Sequence, residues 1–269
     1  MRARRAPRTK TAPTPPPPFE REVWVADEEL RDEAVSATRR AAGAADDVPP
    51  RARRRRDTVA PEVDAELVAA APPATLEKYR QRLASAADAL DRGRFGDARR
   101  MVQPVLRELP EIAFAHEIAG LALYRLGKWK AAADELEAAR RLDGTVRHHP
   151  VLADCYRALR RYAKVDELWL ELRHASPEPS VMAEGRIVAA GALADRGDLT
   201  GALAVMRPAM DSTGRRRAAR EHHLRQWYVI ADLLDRSGDV VSARRWFRVV
   251  VDHDPEFADA AERLRALGR

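Results

Sequence analysis

The chain has 269 residues, 45% of them hydrophobic, and carries 48 Lys and Arg against 42 Asp and Glu, for a formal net charge of +6. No stretch approaches the roughly 20 apolar residues that a membrane-spanning helix needs, and the basic, proline-rich start lacks the apolar region of a secretory signal. The single cysteine, Cys155, excludes an intramolecular disulfide. These features exclude an integral membrane protein, and we expect a reducing compartment, the cytoplasm.

Residues 1–72 are predicted to form a disordered tail rich in proline and arginine. They hold 10 of the 18 prolines, and their 14 basic residues nearly balance 13 acidic ones. Such a segment buries too little apolar surface to offset the entropy lost on ordering. A short helix near 28–42 is expected, capped by Asp27. Phe19 and Trp24 are predicted to act as a linear motif, which docks either on the rest of the chain or on a partner.

The second region, residues 73–269, is predicted to be helical throughout and contains an internal repeat. A short turn motif recurs at intervals of 33 to 41 residues, and a small residue and a large apolar residue follow each copy three and seven positions later. The five turn motifs are Gly93-Arg-Phe95, Gly127-Lys-Trp129, Arg160-Arg-Tyr162, Gly197-Asp-Leu199 and Gly238-Asp-Val240. The small residues are Ala98, Ala132, Val165, Ala202 and Ala243, and the large ones Val102, Leu136, Trp169, Met206 and Phe247.

The fifth copy shows the longest pattern, with Trp227, Ala231 and Leu234 before the turn and Phe247 and Pro255 after it. This spacing resembles the tetratricopeptide repeat (TPR) family. The resemblance implies an all-α fold, a right-handed α-solenoid of about five helix hairpins. It places the units near 79–112, 113–145, 146–179, 183–213 and 224–257, with a C-terminal capping helix at 256–267.

Two local predictions follow from the repeat. A glycine at the turn ends the first helix of a unit in the left-handed conformation at no steric cost, so Arg160, which replaces it in the third unit, should be strained. Small residues in the first helices let the two helices of a unit cross closely; they are Ala86, Gly120, Ala153, Ala190 and Ala231. The stretch His149–Ala158 is also similar to uncharacterised actinobacterial TPR proteins with a Pro- and Arg-rich N terminus, which implies no activity.

No catalytic or metal-binding motif is found in the sequence. His116 begins like a zinc-protease motif, but Gly120 stands where the second histidine is required. The pairs His148–His149 and His222–His223 are adjacent, and neighbouring side chains on a helix point about 100° apart, so neither pair chelates one ion alone. The carboxylate next to Cys155 disfavours a thiolate. We therefore expect no enzyme activity, no metal and no cofactor.

In TPR proteins the first helix of each unit lines a concave groove that binds peptides, and the resemblance implies the same here. A mixture of charged and aromatic residues is typical of such surfaces. Cross-groove salt bridges, each worth under about 1 kcal/mol, are the alternative role for any one of them. The implied lining residues are Arg80, Phe114, Glu117, Leu121, Tyr124, Arg147, Asp154, Arg157, Glu184, Arg225, Tyr228 and Asp232.

The expected function is a non-catalytic adaptor or scaffold that binds a peptide or helix of a partner protein in this groove. Because the chain contains no asparagine and five lysines, the lysine–asparagine clamp that the family uses for chaperone tails cannot be present in its usual form. The alternative is an RNA- or ribosome-associated factor that contacts phosphates through two arginine clusters. The first cluster is Arg51, Arg53, Arg54, Arg55 and Arg56; the second is Arg215, Arg216, Arg217 and Arg220.

Overall fold

The computed structural model describes residues 59–211 and 219–268, and this part of the chain contains twelve helices and no strand. The all-α prediction is therefore confirmed for these residues. Phe19, Trp24, the helix predicted near 28–42 and the first arginine cluster lie outside the described residues, as do Arg215, Arg216 and Arg217. The helices are α1 (Pro61–Ala70), α2 (Pro73–Asp91), α3 (Phe95–Glu108), α4 (Ala113–Arg125), α5 (Trp129–Asp143), α6 (His149–Ala158), α7 (Tyr162–Ala175), α8 (Pro179–Asp195), α9 (Leu199–Asp211), α10 (Glu221–Arg236), α11 (Val240–His253) and α12 (Ala260–Ala266).

Helix α1 lies inside the segment predicted to be disordered, so the prediction of disorder is wrong for residues 61–70. Pro61 occupies the first helical position, where a helix needs no N–H donor, and two acidic residues in the first turn favour the positive end of the helix dipole. Val63 and Leu67, one turn apart, are buried in a hydrophobic cluster with residues of α2, α3 and α4. This burial stabilises a segment whose average composition indicates disorder.

Each predicted unit contains one pair of helices, from α2 and α3 in the first unit to α10 and α11 in the fifth. Three first helices begin before the predicted unit. Helices α2 and α8 begin at Pro73 and Pro179, because proline is compatible with the first turn of a helix, and α10 begins at Glu221. The terminal helix α12 is shorter than the predicted 256–267. Phe257 is buried ahead of it, and Ala258 has a positive φ of 47°, which delays the helix to Ala260.

The helices pack in chain order. Each makes extensive contact with the next, and α2, α4, α6, α8 and α10 also contact one another in succession. The buried apolar residues follow the same order in three clusters, spanning residues 59–122, 121–192 and 187–267. The core is therefore a series of local clusters along the chain.

The five predicted turns share one backbone geometry. The residue in the left-handed conformation is Gly93, Gly127, Gly197 or Gly238 in four of them, and in the third it is Arg160, with φ of 57°. The next N–H then bonds to a carbonyl five residues back, as from Arg161 to Tyr156 at 2.8 Å. Both predictions are confirmed: the glycines form left-handed turns, and an arginine carries the same strained conformation in the third.

Close packing between the helices of a pair depends on the small residues. A Cβ atom on Gly120 would lie 2.7 Å from Cγ of Leu136, so only glycine fits at this crossing of α4 and α5. The four alanines at equivalent positions are buried. The large apolar residue predicted for the third unit, Trp169, is only half-buried. Leu168 and Leu172 of α7 are the buried residues there.

Within residues 59–211 and 219–268, no helix combines the length and the apolar character that crossing a membrane requires.

Candidate functional site

The candidate site is a row of polar side chains that links successive even-numbered helices. Because α2, α4, α6, α8 and α10 lie side by side, a side chain on one can pair with a side chain on the next. We call this row the even-helix face. Its members are Arg80, Glu117, Tyr124, Arg147, Asp154, Glu184, Arg186, Arg225 and Gln226.

Between α4 and α6, the hydroxyl of Tyr124 donates a hydrogen bond to the carboxylate of Asp154 at 2.7 Å. The edge of the Tyr124 ring packs on Trp129, with the ring centroids 5.4 Å apart. Burial raises the pKa of Tyr124, and the Asp154 charge raises it further. Tyr124 is thus a neutral, oriented donor at any physiological pH.

Between α8 and α10, two pairs lie close in sequence. Arg225 contacts the Glu184 carboxylate at 2.6 Å, and Arg186 donates to the side-chain oxygen of Gln226 at 2.8 Å. Burial raises the pKa of Glu184, while the Arg225 charge lowers it. The Nε atoms of Arg186 and Arg225 are buried without a hydrogen-bond partner. This section of the face therefore combines fixed pairs with arginine groups that are not fully satisfied.

A second pair between α4 and α6 consists of Glu117 on α4 and Arg147 just before α6. Glu117 lies 3.2 Å from Arg147 and 3.2 Å from His148. The side chain of Arg147 is 61% exposed, which makes it the most accessible charge of this section. At the first helix of the row, Arg80 of α2 donates two hydrogen bonds to the carboxylate of Asp64 on α1. The bond from an Nη atom of Arg80 to Oδ2 of Asp64 measures 2.9 Å.

Three residues predicted to line a groove are instead buried: Arg157, Tyr228 and Asp232. Arg157 and Asp195 form two hydrogen bonds, of 2.6 and 3.0 Å, with side chains 4% and 5% exposed. A Cβ atom on Gly191 would lie 2.6 Å from this guanidinium, so the glycine provides the space for it. Arg157 therefore joins α6 to α8 in the interior.

Tyr228 and Asp232 hold the last helix of the chain. The Tyr228 hydroxyl donates to Asp259, and burial together with this bond raises the pKa of Tyr228 to about 12. Arg263 of α12 donates to Asp232 at 2.6 Å and to Asp235 at 2.7 Å. Tyr228 and Asp232 therefore pack α12 against the last even-numbered helix of the row.

The remaining predicted residues have modest roles. Phe114 and Leu121 are half-buried and pack on the hydrophobic clusters beneath the face. Arg220 is exposed at the start of α10, where its backbone N–H donates to Nδ1 of His223 at 3.0 Å. It is the one member of either arginine cluster within residues 59–211 and 219–268.

The sequence reasoning missed α1 and the buried polar pairs. A signal for α1 was present, because Pro61 is followed by acidic residues and by Val63 and Leu67 at helical spacing. The buried pairs carry no such signal, since an arginine at helical spacing reads the same whether it faces solvent or another helix.

Two reactive side chains, those of His116 and Cys155, lie outside the even-helix face. His116 contacts Glu135 of α5 at 2.6 Å and the Pro110 carbonyl at 2.9 Å, which gives both ring nitrogens an acceptor. Cys155 is buried, and burial and the Asp154 charge raise the pKa of its thiol. In the described ranges, no three His, Cys, Asp or Glu side chains are placed to hold a metal ion.

No model of a known protein family matches the chain, and no curated protein matches it.

Proposed function

We propose that this protein is a non-catalytic adaptor of TPR type, in which the helix pairs form a right-handed solenoid and the even-helix face binds a peptide or helix of a partner protein. The observation that carries the proposal is the regular contact of each even-numbered helix with the next. Five turns of one geometry separate the paired helices and support a repeated unit. The buried free thiol of Cys155 is compatible with a reducing compartment, and we propose the cytoplasm.

The face suits recognition because its polar groups are held in place before a ligand arrives. Tyr124 is fixed by Asp154, and Arg225 by Glu184, so little side-chain entropy remains to be lost on binding. Exposed Arg147 adds an accessible positive charge to the face. A ligand that follows the face would meet hydrogen-bond donors and acceptors from the four even-numbered helices α4, α6, α8 and α10.

Affinity capture from cell extract tests the proposal, with the full chain, Arg147→Glu and Lys164→Glu compared with and without RNase. Lys164 is an exposed lysine of odd-numbered α7, so its reversal matches the charge change away from the face. We expect Arg147→Glu to lose a protein that the other two retain after RNase. Equal capture by all three would contradict recognition on the face, and loss after RNase would favour the arginine clusters.

A further inference from the structure

We propose that α1 is a self-bound ligand of the even-helix face, and that the partner segment which binds this face is an acidic amphipathic helix that displaces α1. This inference rests on the proposed function and adds the chemical class of the partner. It also assigns α1, which the repeat does not include, a role in controlling access to the face.

The position of α1 differs from that of the other odd-numbered helices. Helices α3, α5, α7, α9 and α11 make their extensive contacts with the helix just before and the helix just after them. Helix α1 makes its extensive contact with α2. Its Glu66 lies close enough to the backbone amide of Ala113, the first residue of α4, for that amide to lower the pKa of the carboxyl. Val63 and Leu67 of α1 are buried in one cluster with residues of α2 and α4, so α1 shares its core with two even-numbered helices.

The ion pair of α1 falls on a repeated position of the face. Asp64 contacts Arg80, which precedes the small residue Ala86 of its helix by six positions. In the four following units, the residues six positions before the small residue of the first helix are Phe114, Arg147, Glu184 and Arg225. Arginine thus occupies three of five equivalent positions, and α1 covers the first of them with a carboxylate.

The side of α1 that packs on the face defines the ligand chemistry. Val63 and Leu67 bury their aliphatic side chains one turn apart, and Asp64 and Glu66 place carboxylates between them. Val68, one turn after Asp64, is 55% exposed. An external helix with two aliphatic residues at i and i+4 and an acidic residue at i+1 reproduces the contacts of Val63, Leu67 and Asp64, and its carboxylate complements the arginines at the register.

The docked position of α1 carries a cost that favours exchange. One carboxylate oxygen of Glu66 is buried without a hydrogen-bond partner. Burial raises the pKa of Glu66, and the nearby charges of Asp143 and Glu117 raise it further. A competing helix that places its acid elsewhere avoids this cost, and release of α1 lets Glu66 return to water.

A labelled peptide with the sequence of residues 59–72 serves as the probe, titrated against the full-length chain and three full-length variants. Leu67→Asp and Asp64→Arg each remove a contact that holds α1, whereas Val68→Asp places the same acidic residue on its exposed side. We expect the first two variants to bind the peptide about tenfold more tightly than the unmodified chain, because the face is vacant more of the time. Val68→Asp should bind like the unmodified chain.

Two outcomes overturn the proposal: equal affinity for all four chains, or no binding of the peptide to any of them. Helical content by circular dichroism accompanies each titration, and Asp64→Arg keeps the test valid if Leu67→Asp does not fold, since Asp64 is only half-buried. The capture experiment separates the two levels. Capture that responds to Arg147→Glu but not to release of α1 leaves the face as the binding site and removes α1 as its competitor. Capture that does not respond to Arg147→Glu removes the face itself.

Discussion

Even-numbered and odd-numbered helices differ in how much of their surface they bury. Helix α8 buries ten of its 17 residues and α10 eleven of 16, whereas α7 and α11 bury three of 14 each. An even-numbered helix within the row packs between two odd-numbered and two even-numbered neighbours, while an odd-numbered one packs between two helices and leaves a side to water. The first kind of helix is surrounded, and the second is amphipathic.

The difference decides where polar groups must be paired. The buried polar and charged residues of the described chain all lie on even-numbered helices: Asp88, His149, Arg157, Asp195, His223, Gln226 and Asp232. Buried charges are tolerated only with partners, so these helices depend on specific pairs. On odd-numbered helices, equivalent ion pairs remain near the surface and contribute little.

The largest expected contrast compares two aspartates that each pair with an arginine. Asp195→Ala removes both side-chain hydrogen bonds of the buried Arg157 and leaves Asp154, at 3.6 Å, as its ion-pair partner, so it should lower the free energy of unfolding by about 3 kcal/mol. Asp166→Ala removes the exposed partner of Arg196 and should cost under about 1 kcal/mol. Urea denaturation followed by circular dichroism measures both. Similar losses would show that burial does not distinguish the two kinds of helix.

A second contrast uses glycines in the middle or first turn of helices. Gly191→Ala in α8 forces a Cβ atom against the Arg157 guanidinium and should cost about 1–3 kcal/mol. Gly96→Ala in odd-numbered α3 meets no atom within 4 Å and should stabilise by about 0.5–1 kcal/mol through helix propensity. Opposite signs in the shift of the urea midpoint are the expected result; a stabilising Gly191→Ala would mean that Arg157 moves freely.

The turns that join the two kinds of helix provide a third test. Arg160→Gly relieves a left-handed non-glycine residue and should raise the free energy of unfolding by about 1 kcal/mol. Gly127→Ala introduces the same strain in another unit and should lower it by a similar amount. Thermal unfolding of both variants measures the pair. No gain for Arg160→Gly would indicate that contacts of the arginine side chain offset the strain.

The smallest effect concerns a pair that connects an even-numbered helix to an odd-numbered one. The hydrogen bond to Glu135 raises the pKa of His116 above its ordinary value. The pair therefore contributes fully below about pH 6.5, the ordinary value, and its contribution is lost as the pH rises through the raised pKa. Urea midpoints across this range should fall less in Glu135→Gln than in the unmodified chain. Parallel pH profiles would contradict the assignment.

The parts of the fold that local chemistry determines could be predicted from the sequence. A turn that needs a positive φ selects glycine, so four glycines in a recurring motif locate four turns, and the strain at Arg160 follows from its place in the same series. The crossing at Gly120 follows because no side chain fits there. The turns depend on backbone geometry, and the crossing depends on one contact, with Leu136 of the neighbouring helix.

The candidate site was less accessible because exposure depends on the neighbouring helix. Tyr124 and Tyr228 occupy helices of the same kind, yet the first lies on the even-helix face and the second is fully buried beneath α12. Arg147 and Arg157 differ in the same way: one is exposed, and the other is buried against Asp195. The type of a residue alone does not show whether another helix covers its side chain.

The contact pattern described above also bears on how such a chain can grow. Each even-numbered helix reaches no farther than its second neighbour through extensive contacts, so a helix pair in the described chain depends on the pairs that flank it and on no distant segment. Duplicating one pair would add one junction between pairs, and deleting one would replace two junctions with a single new one. The length of the row is therefore free to vary in whole helix pairs, while the ends, where α1 and α12 are placed, must be kept.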